Sequence, residues 1–260
     1  MTNQDIIPIL GFRFKAWPME ALIDRLENNI RSGTKSVACV FVNPHSIVST
    51  VRDQSALEAI NSFELMLPDG SGIMLASKIL GTPMPERITG PDMLERLTKR
   101  LAGSAGASYF FMGASPEVLD AIRKRLEKEA PSIRMVGAIS PPFGEISDEQ
   151  SKAYIDEITE AKPDCLWVGM TAPKQEKWIY KHKTELEGVP VIGAIGAAFD
   201  FYSGTKKRSG RWFREHGMEW LPRLLREPKR LWRRNFISTP KFLWMVFKQF
   251  VKERVFRRRK

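Results

Sequence analysis

Short apolar runs alternate with amphipathic stretches along most of this chain, and this alternation constrains the fold more than any other feature. Six runs are typical of strands buried on both faces: Val37–Val42, Phe63–Pro68, Ser108–Met112, Ile133–Gly137, Asp164–Val168 and Val189–Ala194. Helical spacing predicts helices between Pro18 and Gly33 and near residues 55–61, 73–80, 92–101, 116–129, 148–161 and 174–186. The sequence therefore predicts an α/β fold with a mostly parallel sheet and helices on both faces.

The charge balance changes near residue 205, which predicts a second unit. Residues 205–260 contain 19 basic and 4 acidic side chains, whereas residues 1–204 contain 22 basic and 26 acidic ones. We therefore predict a core of residues 1–204 and an Arg/Trp-rich helical appendage of residues 205–260, cut into short helices by Pro222, Pro228 and Pro240. Its last part, Lys241–Lys260, has the pattern of a basic amphipathic helix. Such a helix either lies on an anionic membrane or docks on the core with its basic side in solvent.

Several classes of protein are disfavoured by what the sequence lacks. Cys39 and Cys165 lie in apolar runs without a metal or redox spacing, which predicts buried thiols in a reducing cytoplasm. The N-terminus has no positively charged start before a long apolar stretch, so no signal peptide is expected. No segment approaches the about 18 uninterrupted apolar residues of a membrane span. The absence of a G-x-G-x-x-G fingerprint disfavours a nicotinamide enzyme.

Polar residues follow several predicted strands at the point where each strand ends. Asn43 follows the first of the six, Asp69 the second, and the segment from Gly169 to Trp178 follows the fifth. In a parallel sheet these ends meet at one edge, where helix N-termini and ligands collect. Judged on residue types alone, each of these segments also has a structural interpretation. Asn43 can be a strand-ending residue before Pro44, Asp69 can belong to an Asp-Gly turn, and the segment from Gly169 can be an ordinary strand-to-helix connection.

Spaced patterns decide between these interpretations. In order they are N-P at Asn43, D-G-x-G at Asp69, R-x-x-G-x-D-x-L at Arg87, P-K-Q-E-x-W at Pro173, F-D-F-x-x-G-x-x-x-R at Phe199, E-W-L-x-R at Glu219 and E-P-x-R-L at Glu227. Together they cover roughly positions 40 to 234 and resemble the WecG/TagA/CpsF family of bacterial glycosyltransferases. The resemblance implies a Rossmann-like core and metal-independent sugar transfer. The chain departs from the family at Phe41, where members often carry Thr, and this puts the choice of sugar in question.

The resemblance and the chemistry of the side chains together assign roles. Asp69 is the candidate base, because a carboxylate can accept the proton of an attacking hydroxyl. Arg87 is suited to hold a diphosphate and Gln175 to hold a sugar hydroxyl, which completes the predicted catalytic set. The predicted donor- or acceptor-binding residues are Asn43, Gly70, Gly72, Gly113, Ser115, Gly169, Lys174 and Glu176. The predicted pyrophosphate- or lipid-facing residues are Arg208, Arg223, Arg230 and Arg233.

These expectations describe an inverting glycosyltransferase of polysaccharide assembly. It would transfer a hexose-type sugar, such as N-acetylmannosamine, glucose or glucuronic acid, from a UDP-sugar to a polyprenyl-diphosphate-linked saccharide in exopolysaccharide, capsule or cell-wall polymer biosynthesis. We expect no cofactor, no metal and no nucleic-acid partner, and a cytoplasmic protein bound peripherally to the anionic inner face of the cytoplasmic membrane. The sequence makes no prediction of the oligomeric state.

Two alternatives from other functional classes stay open. A nucleic-acid-binding module would use the basic tail for phosphate contacts and its interleaved tryptophans for base stacking, namely Trp212, Trp220, Trp232 and Trp244. This alternative leaves Asp69, Arg87 and Gln175 unexplained. A nucleotide-dependent oxidoreductase is the other alternative, and the missing G-x-G-x-x-G fingerprint argues against it.

Overall fold

A six-stranded parallel sheet lies at the centre of the computed structural model, which describes residues 5–33, 35–210, 212–213 and 216–257. Its strands are β3 (Val37–Val42), β4 (Leu65–Pro68), β5 (Ala107–Gly113), β6 (Ile133–Ile139), β7 (Cys165–Gly169) and β8 (Val191–Ala194). They are arranged in the order β4-β3-β8-β7-β5-β6, and every neighbouring pair is parallel. The predicted α/β class and the six predicted strands are confirmed, with ends shifted by up to two residues.

Helices cover both faces of this sheet. In the described part of the chain they are α1 (Met19–Ser32), α2 (Pro44–Thr50), α3 (Gln54–Asn61), α4 (Ser71–Ile79), α5 (Gly90–Ala102), α6 (Pro116–Glu129), α7 (Asp148–Ala161), α8 (Lys174–Lys181), α9 (Ala198–Tyr202), α10 (Trp220–Arg226), α11 (Pro228–Trp232) and α12 (Thr239–Arg257). A π-helical segment, Arg233–Ser238, joins α11 to α12. None of these helices combines the length and hydropathy that a bilayer crossing requires.

The core has two layers because successive strand residues point to opposite faces of the sheet. Val40 and Leu166 contribute to one layer, which is covered by α3, α4, α7, α8 and α12. Cys39 and Trp167 contribute to the other layer, under α1, α5, α6 and α9. Cys39 and Cys165 are buried free thiols, as predicted.

An N-terminal hairpin was missed by the sequence analysis. It pairs β1 (Ile6–Ile9) with β2 (Phe12–Lys15) in antiparallel register. Leu10 and Gly11 form its turn with φ values of 52° and 86°, the left-handed geometry that favours tight two-residue hairpins. The sequence offers no Asn-Gly or Asp-Gly signal at this turn. Phe12 and Phe14 are fully buried, so tertiary packing holds the hairpin in place.

The C-terminal helix α12 packs on the core. Phe242 and Val246 are fully buried in the layer that contains α2 and α4, and the N–H of Leu10 donates to Gln249 Oε1 at 2.8 Å. If α12 lay on a membrane as the first alternative of the sequence analysis has it, Phe242 and Val246 would be available for apolar insertion, and their burial in the core contradicts this for both residues. The opposite side of α12 is exposed. This is the docked alternative of the sequence analysis, with basic residues on the solvent side.

Candidate active site

The carboxyl ends of β3 and β4 bring the first two sequence patterns into contact. Asn43 directly follows β3 and Asp69 directly follows β4, and the N–H of Asp69 donates to Val42 O at 3.0 Å. Gly70 has φ 94°, a conformation that L side chains rarely adopt, and a Cβ placed there would lie 3.9 Å from the Asn43 Cβ. Asp69 is therefore held at the sheet edge beside Asn43.

Asn43 and Gly72 shape this corner of the site. The Asn43 Oδ1 accepts hydrogen bonds from the N–H groups of His45 and Ser46, both at 3.1 Å, so Asn43 caps α2. A Cβ at Gly72 would lie 2.5 Å from Pro44 Cγ, so Gly72 lets the start of α4 approach α2 closely. The capping role accounts for an Asn directly before Pro44, the position for which the sequence analysis also gave a structural interpretation.

Gln175 is buried between the segments that follow β7 and β8. Its Oε1 accepts from the N–H of Gly196 at 3.1 Å, and its Nε2 donates to Glu176 Oε1 at 2.9 Å. The amide therefore joins the two strand ends and keeps one N–H and one lone pair for further bonds. Because β3 separates β4 from β8, Asp69 and Gly196 lie roughly 10 Å apart, two inter-strand spacings.

Glu176 and Lys174 flank Gln175 and face different environments. Glu176 is 2% exposed, and its Oε2 has no hydrogen-bond partner among the described residues. Burial raises the pKa of its carboxyl, against the lowering effect of the Gln175 hydrogen bond. The Lys174 Nζ donates to Gly144 O and so holds the loop that follows β6. Phe143, the neighbour of Gly144, is fully exposed on that loop.

An ion-pair cluster joins the tail, residues 205–260, to the core at the start of α5. Arg208 contacts Asp92 Oδ1 at 2.7 Å and Thr89 Oγ1 at 3.3 Å at the start of α5. Glu219, just before α10, contacts Arg87 Nη1 at 3.3 Å through Oε2 and Arg208 Nε at 3.6 Å through Oε1. Burial is the largest single effect and favours the neutral forms of Asp92 and Arg208, but their mutual hydrogen bond and the attraction of neighbouring opposite charges together outweigh it. The pKa of Asp92 is therefore lowered and that of Arg208 raised.

The remaining predicted donor-binding residues lie farther along the edge. Gly113 pairs with Gly169 at the ends of β5 and β7, and Ser115 is exposed just before α6. Three strands, β3, β8 and β7, separate β4 from β5, so these residues lie about 19 Å from Asp69. The predicted site residues therefore extend along the sheet edge, from the Asp69 carboxylate at one end to the N-terminus of α6 at the other.

Of the predicted tail arginines, Arg208 joins the cluster with Arg87. The guanidinium of Arg223 lies 5.0 Å from the ring centroid of Phe201, and Arg233 is exposed at the start of the π-helical segment. The side chain of Arg230 is outside the described part of the structure. Gly217 also approaches the core, since a Cβ there would lie 3.3 Å from Ser71 Cβ. The tail therefore reaches the D-G-x-G segment.

Sequence reasoning missed three members of this cluster. Thr89 caps α5 by accepting from the N–H of Asp92, and Asp92 and Glu219 are the carboxylates that hold the arginines. Each charged member stood inside a spaced pattern, R-x-x-G-x-D-x-L or E-W-L-x-R, which was the available signal. In the described residues, no group of three or more His, Cys, Asp or Glu side chains is arranged to hold a metal ion.

Known proteins resemble this chain over nearly its whole length. The model of the glycosyl transferase WecG/TagA/CpsF family matches residues 7–255. Two relatives are named N-acetylglucosaminyldiphosphoundecaprenol N-acetyl-beta-D-mannosaminyltransferase. The one from Staphylococcus aureus strain MW2 is 29% identical over 248 residues, which is 95% of this chain and 94% of the relative. The one from Bacillus spizizenii is 30% identical over 241 residues, which is 93% of this chain and 90% of the relative.

The match confirms the resemblance seen in the spaced patterns, and it extends beyond them into the hairpin and the last helix. It covers nearly the whole chain in both directions, so the core and the tail are shared with the relatives. With the parallel sheet and the edge that carries Asp69, these findings show that the chain is a glycosyltransferase and belongs to the WecG/TagA/CpsF family.

Proposed function

We propose that this glycosyltransferase moves a hexose-type sugar from a UDP-sugar to a polyprenyl-diphosphate-linked saccharide in the synthesis of a cell-surface polymer. The observation that carries the proposal is the backbone contact that places Arg87 beside Asp69: the N–H of Ile88 donates to Pro68 O at 3.0 Å, and Arg87 joins Arg208 through Glu219. Sugar transfer needs a proton acceptor and a positive site for a diphosphate. The names of the relatives describe such a transfer to a lipid-linked diphosphate saccharide.

Asp69 is the proposed base for the attacking hydroxyl. As the acceptor oxygen bonds to the anomeric carbon, the bond between that carbon and the donor phosphate breaks. The hydroxyl proton passes to the Asp69 carboxylate, and UDP leaves with the bonding electrons. A single displacement of this kind inverts the anomeric centre. The rigid corner that Asn43 and Gly70 form around Asp69 favours a fixed direction of attack.

Arg87 and Arg208 are the proposed partners of diphosphate oxygens. Both side chains are largely buried, with 17% and 15% exposure, so their charges are less screened than those of surface arginines. Guanidinium groups placed where phosphate charge develops stabilise the leaving group. Gly113 and Ser115, at the far end of the edge, are the proposed seat of the nucleotide, near the N-terminus of α6.

We propose that the tail, residues 205–260, forms the membrane-facing side of the molecule and caps the core of residues 1–204. Exposed apolar side chains that form this tail face are Leu225, Trp232, Phe236, Ile237, Trp244, Phe247, Val251 and Val255. Exposed basic side chains accompany them, namely Arg226, Lys229, Arg233, Lys241, Lys248 and Lys252. Each basic residue near an anionic surface contributes about 1 kcal/mol, and the aromatic rings suit the interface. The proposed location is the inner face of the cytoplasmic membrane, where a lipid-linked acceptor is within reach.

A transfer assay tests this function. The full chain is incubated with a panel of UDP-sugars and a short-chain lipid-diphosphate saccharide, and released UDP and product mass are measured. We expect one donor to yield an acceptor heavier by one sugar residue. UDP release without a heavier acceptor indicates hydrolysis and contradicts the transfer. Salt-sensitive binding of single-stranded nucleic acid without any turnover supports the nucleic-acid alternative instead.

A further inference from the structure

Glu219 bridges two arginines from different parts of the chain. Arg87 belongs to the segment between α4 and α5, and Arg208 to the segment between α9 and α10. One oxygen of the Glu219 carboxylate faces each guanidinium. This is the arrangement that two oxygens of a phosphate adopt between two arginines.

The contact distances distinguish the ion pair that anchors Arg208 from the ion pairs that a ligand can replace. Arg208 meets Asp92 at 2.7 Å, within the range of a short charge-assisted hydrogen bond, so Asp92 fixes its position. The contacts of Glu219 are longer, 3.3 Å to Arg87 and 3.6 Å to Arg208. Arg208 Nε is buried and makes no hydrogen bond within the described part of the chain. A buried donor of this kind gains free energy from an acceptor that comes closer.

We infer that Glu219 is an internal competitor that occupies the anion position between Arg87 and Arg208 until a substrate phosphate replaces it. The inference deepens the proposed function and rests on it for the identity of the phosphate, which belongs to the sugar donor or to the lipid-linked acceptor. A diphosphate carries more negative charge than a carboxylate and has oxygens to reach both guanidinium groups. It therefore displaces Glu219 while Asp92 continues to hold Arg208.

The main chain around Glu219 has its own contacts with the rest of the molecule. The Ser209 Oγ donates to the Glu219 carbonyl oxygen at 3.1 Å, and Gly217 packs beside Ser71. Replacing the carboxylate by an amide of the same shape therefore leaves the segment in place and removes only the competing charge. This makes Glu219→Gln an informative variant.

The test compares pyrophosphate and UDP binding to the full-length wild type and to Glu219→Gln by isothermal titration calorimetry. We expect both anions to bind Glu219→Gln about three- to tenfold more tightly, the effect of losing one buried competing charge whose desolvation offsets much of its attraction to the arginines. Glu253→Gln is the matched control, because it removes a carboxylate from the same tail at a residue bonded to Gln249. Its affinities should equal those of the wild type. Uridine, which has no phosphate, should bind all three proteins equally.

Equal or weaker pyrophosphate binding by Glu219→Gln, with an unchanged melting temperature, overturns the inference and makes Glu219 a structural support of the arginines. If Glu219→Gln has a lower melting temperature than the wild type, Glu219→Asp becomes the test variant. Its shorter side chain keeps the negative charge but holds it farther from the two arginines. This variant should therefore also bind pyrophosphate more tightly than the wild type. Sugar transfer by the wild type, with no gain in affinity in either variant, contradicts this inference alone. Tighter pyrophosphate binding by Glu219→Gln, without transfer by the wild type, contradicts the proposed function alone.

Discussion

At the scale of single residues, the site depends on carboxylates in three different settings. Asp69 lies half-buried at the sheet edge, Asp92 is paired tightly with Arg208, and Glu176 is buried beside Gln175. These settings give the three groups different chemistry, because pairing favours a charged carboxylate and burial favours a neutral one. The sequence predicted Asp69 and Glu176 as site residues and missed Asp92, and only the surroundings of each residue distinguish their roles.

Replacement of Asp69 tests the proposed base. Asp69→Asn should lower turnover by about 10² to 10⁴ fold, because an amide cannot accept the hydroxyl proton. The melting temperature and the affinity for UDP should stay close to those of the wild type. Steady-state rates on a water-soluble acceptor, with calorimetric binding of UDP, provide the measurement. Unchanged turnover would remove Asp69 from the mechanism.

Glu176 should make stability depend on pH. Its native pKa is raised by burial, so stability is lost as the pH rises from the ordinary value of 4.5 through the raised native value. Glu176→Gln carries no charge at any pH and avoids this loss. We expect its melting temperature to increase relative to that of the wild type as the pH rises above 4.5. Glu253→Gln controls for removal of a carboxylate, and a difference that is constant with pH would contradict the expectation.

At the scale of helices and strands, the carboxyl ends of the sheet position the site and the tail helix has two distinct sides. One side of α12 completes the core through Phe242 and Val246, and the other exposes Trp244 and Phe247. The sequence predicted a basic amphipathic helix here, but apolar and basic residues are distributed nearly all round α12, so the pattern did not determine its orientation. The packing of α12 against α2 and α4 decides which side is buried.

The two sides of α12 should respond differently to substitution. Trp244→Ala with Phe247→Ala should weaken binding to anionic vesicles and leave the melting temperature nearly unchanged. Phe242→Ala should lower the free energy of unfolding by about 3 to 5 kcal/mol, the usual cost of removing a buried phenyl group. Vesicle flotation at low and high salt and thermal melts measure the two effects. Weak vesicle binding in a folded Phe242→Ala variant, with normal binding by the double variant, would contradict this assignment.

Gly113 should be intolerant of a side chain because two strand ends meet there. A Cβ at Gly113 would lie 2.4 Å from the carbonyl oxygen of Gly169, and backbone cannot move aside as a flexible side chain can. Gly113→Ala should therefore cost about 1 to 3 kcal/mol of stability, which a thermal melt detects as a fall of several degrees. Gly188→Ala is the matched control, since a Cβ there meets no atom within 4 Å. Equal melting temperatures for the two variants would contradict the predicted crowding.

At the scale of the whole molecule, the sequence predicted the sheet well and the contacts between distant segments poorly. Apolar runs located all six strands, and spaced patterns identified the family. The hairpin was missed because its turn, Leu10–Gly11, lacks a strong local signal. The sequence predicted Arg87 and Arg208 as site residues but missed the contacts that Glu219 makes with both, because these residues are far apart in the chain. Such contacts depend on how the tail folds back, which neither periodicity nor motif spacing determines.

The central claim is that core and tail together form one site for sugar transfer, and a double-mutant cycle tests it most directly. Transfer rates to the lipid-diphosphate acceptor are measured for Arg87→Ala, Arg208→Ala and the combined variant, with exposed Arg254→Ala as the tail control. We predict that each single change lowers kcat/KM sharply, that Arg254→Ala does not, and that the combined loss is smaller than the product of the two single losses. Coupled residues that share one ligand behave in this way. Independent, multiplicative losses, or full activity in Arg208→Ala, would contradict a shared site.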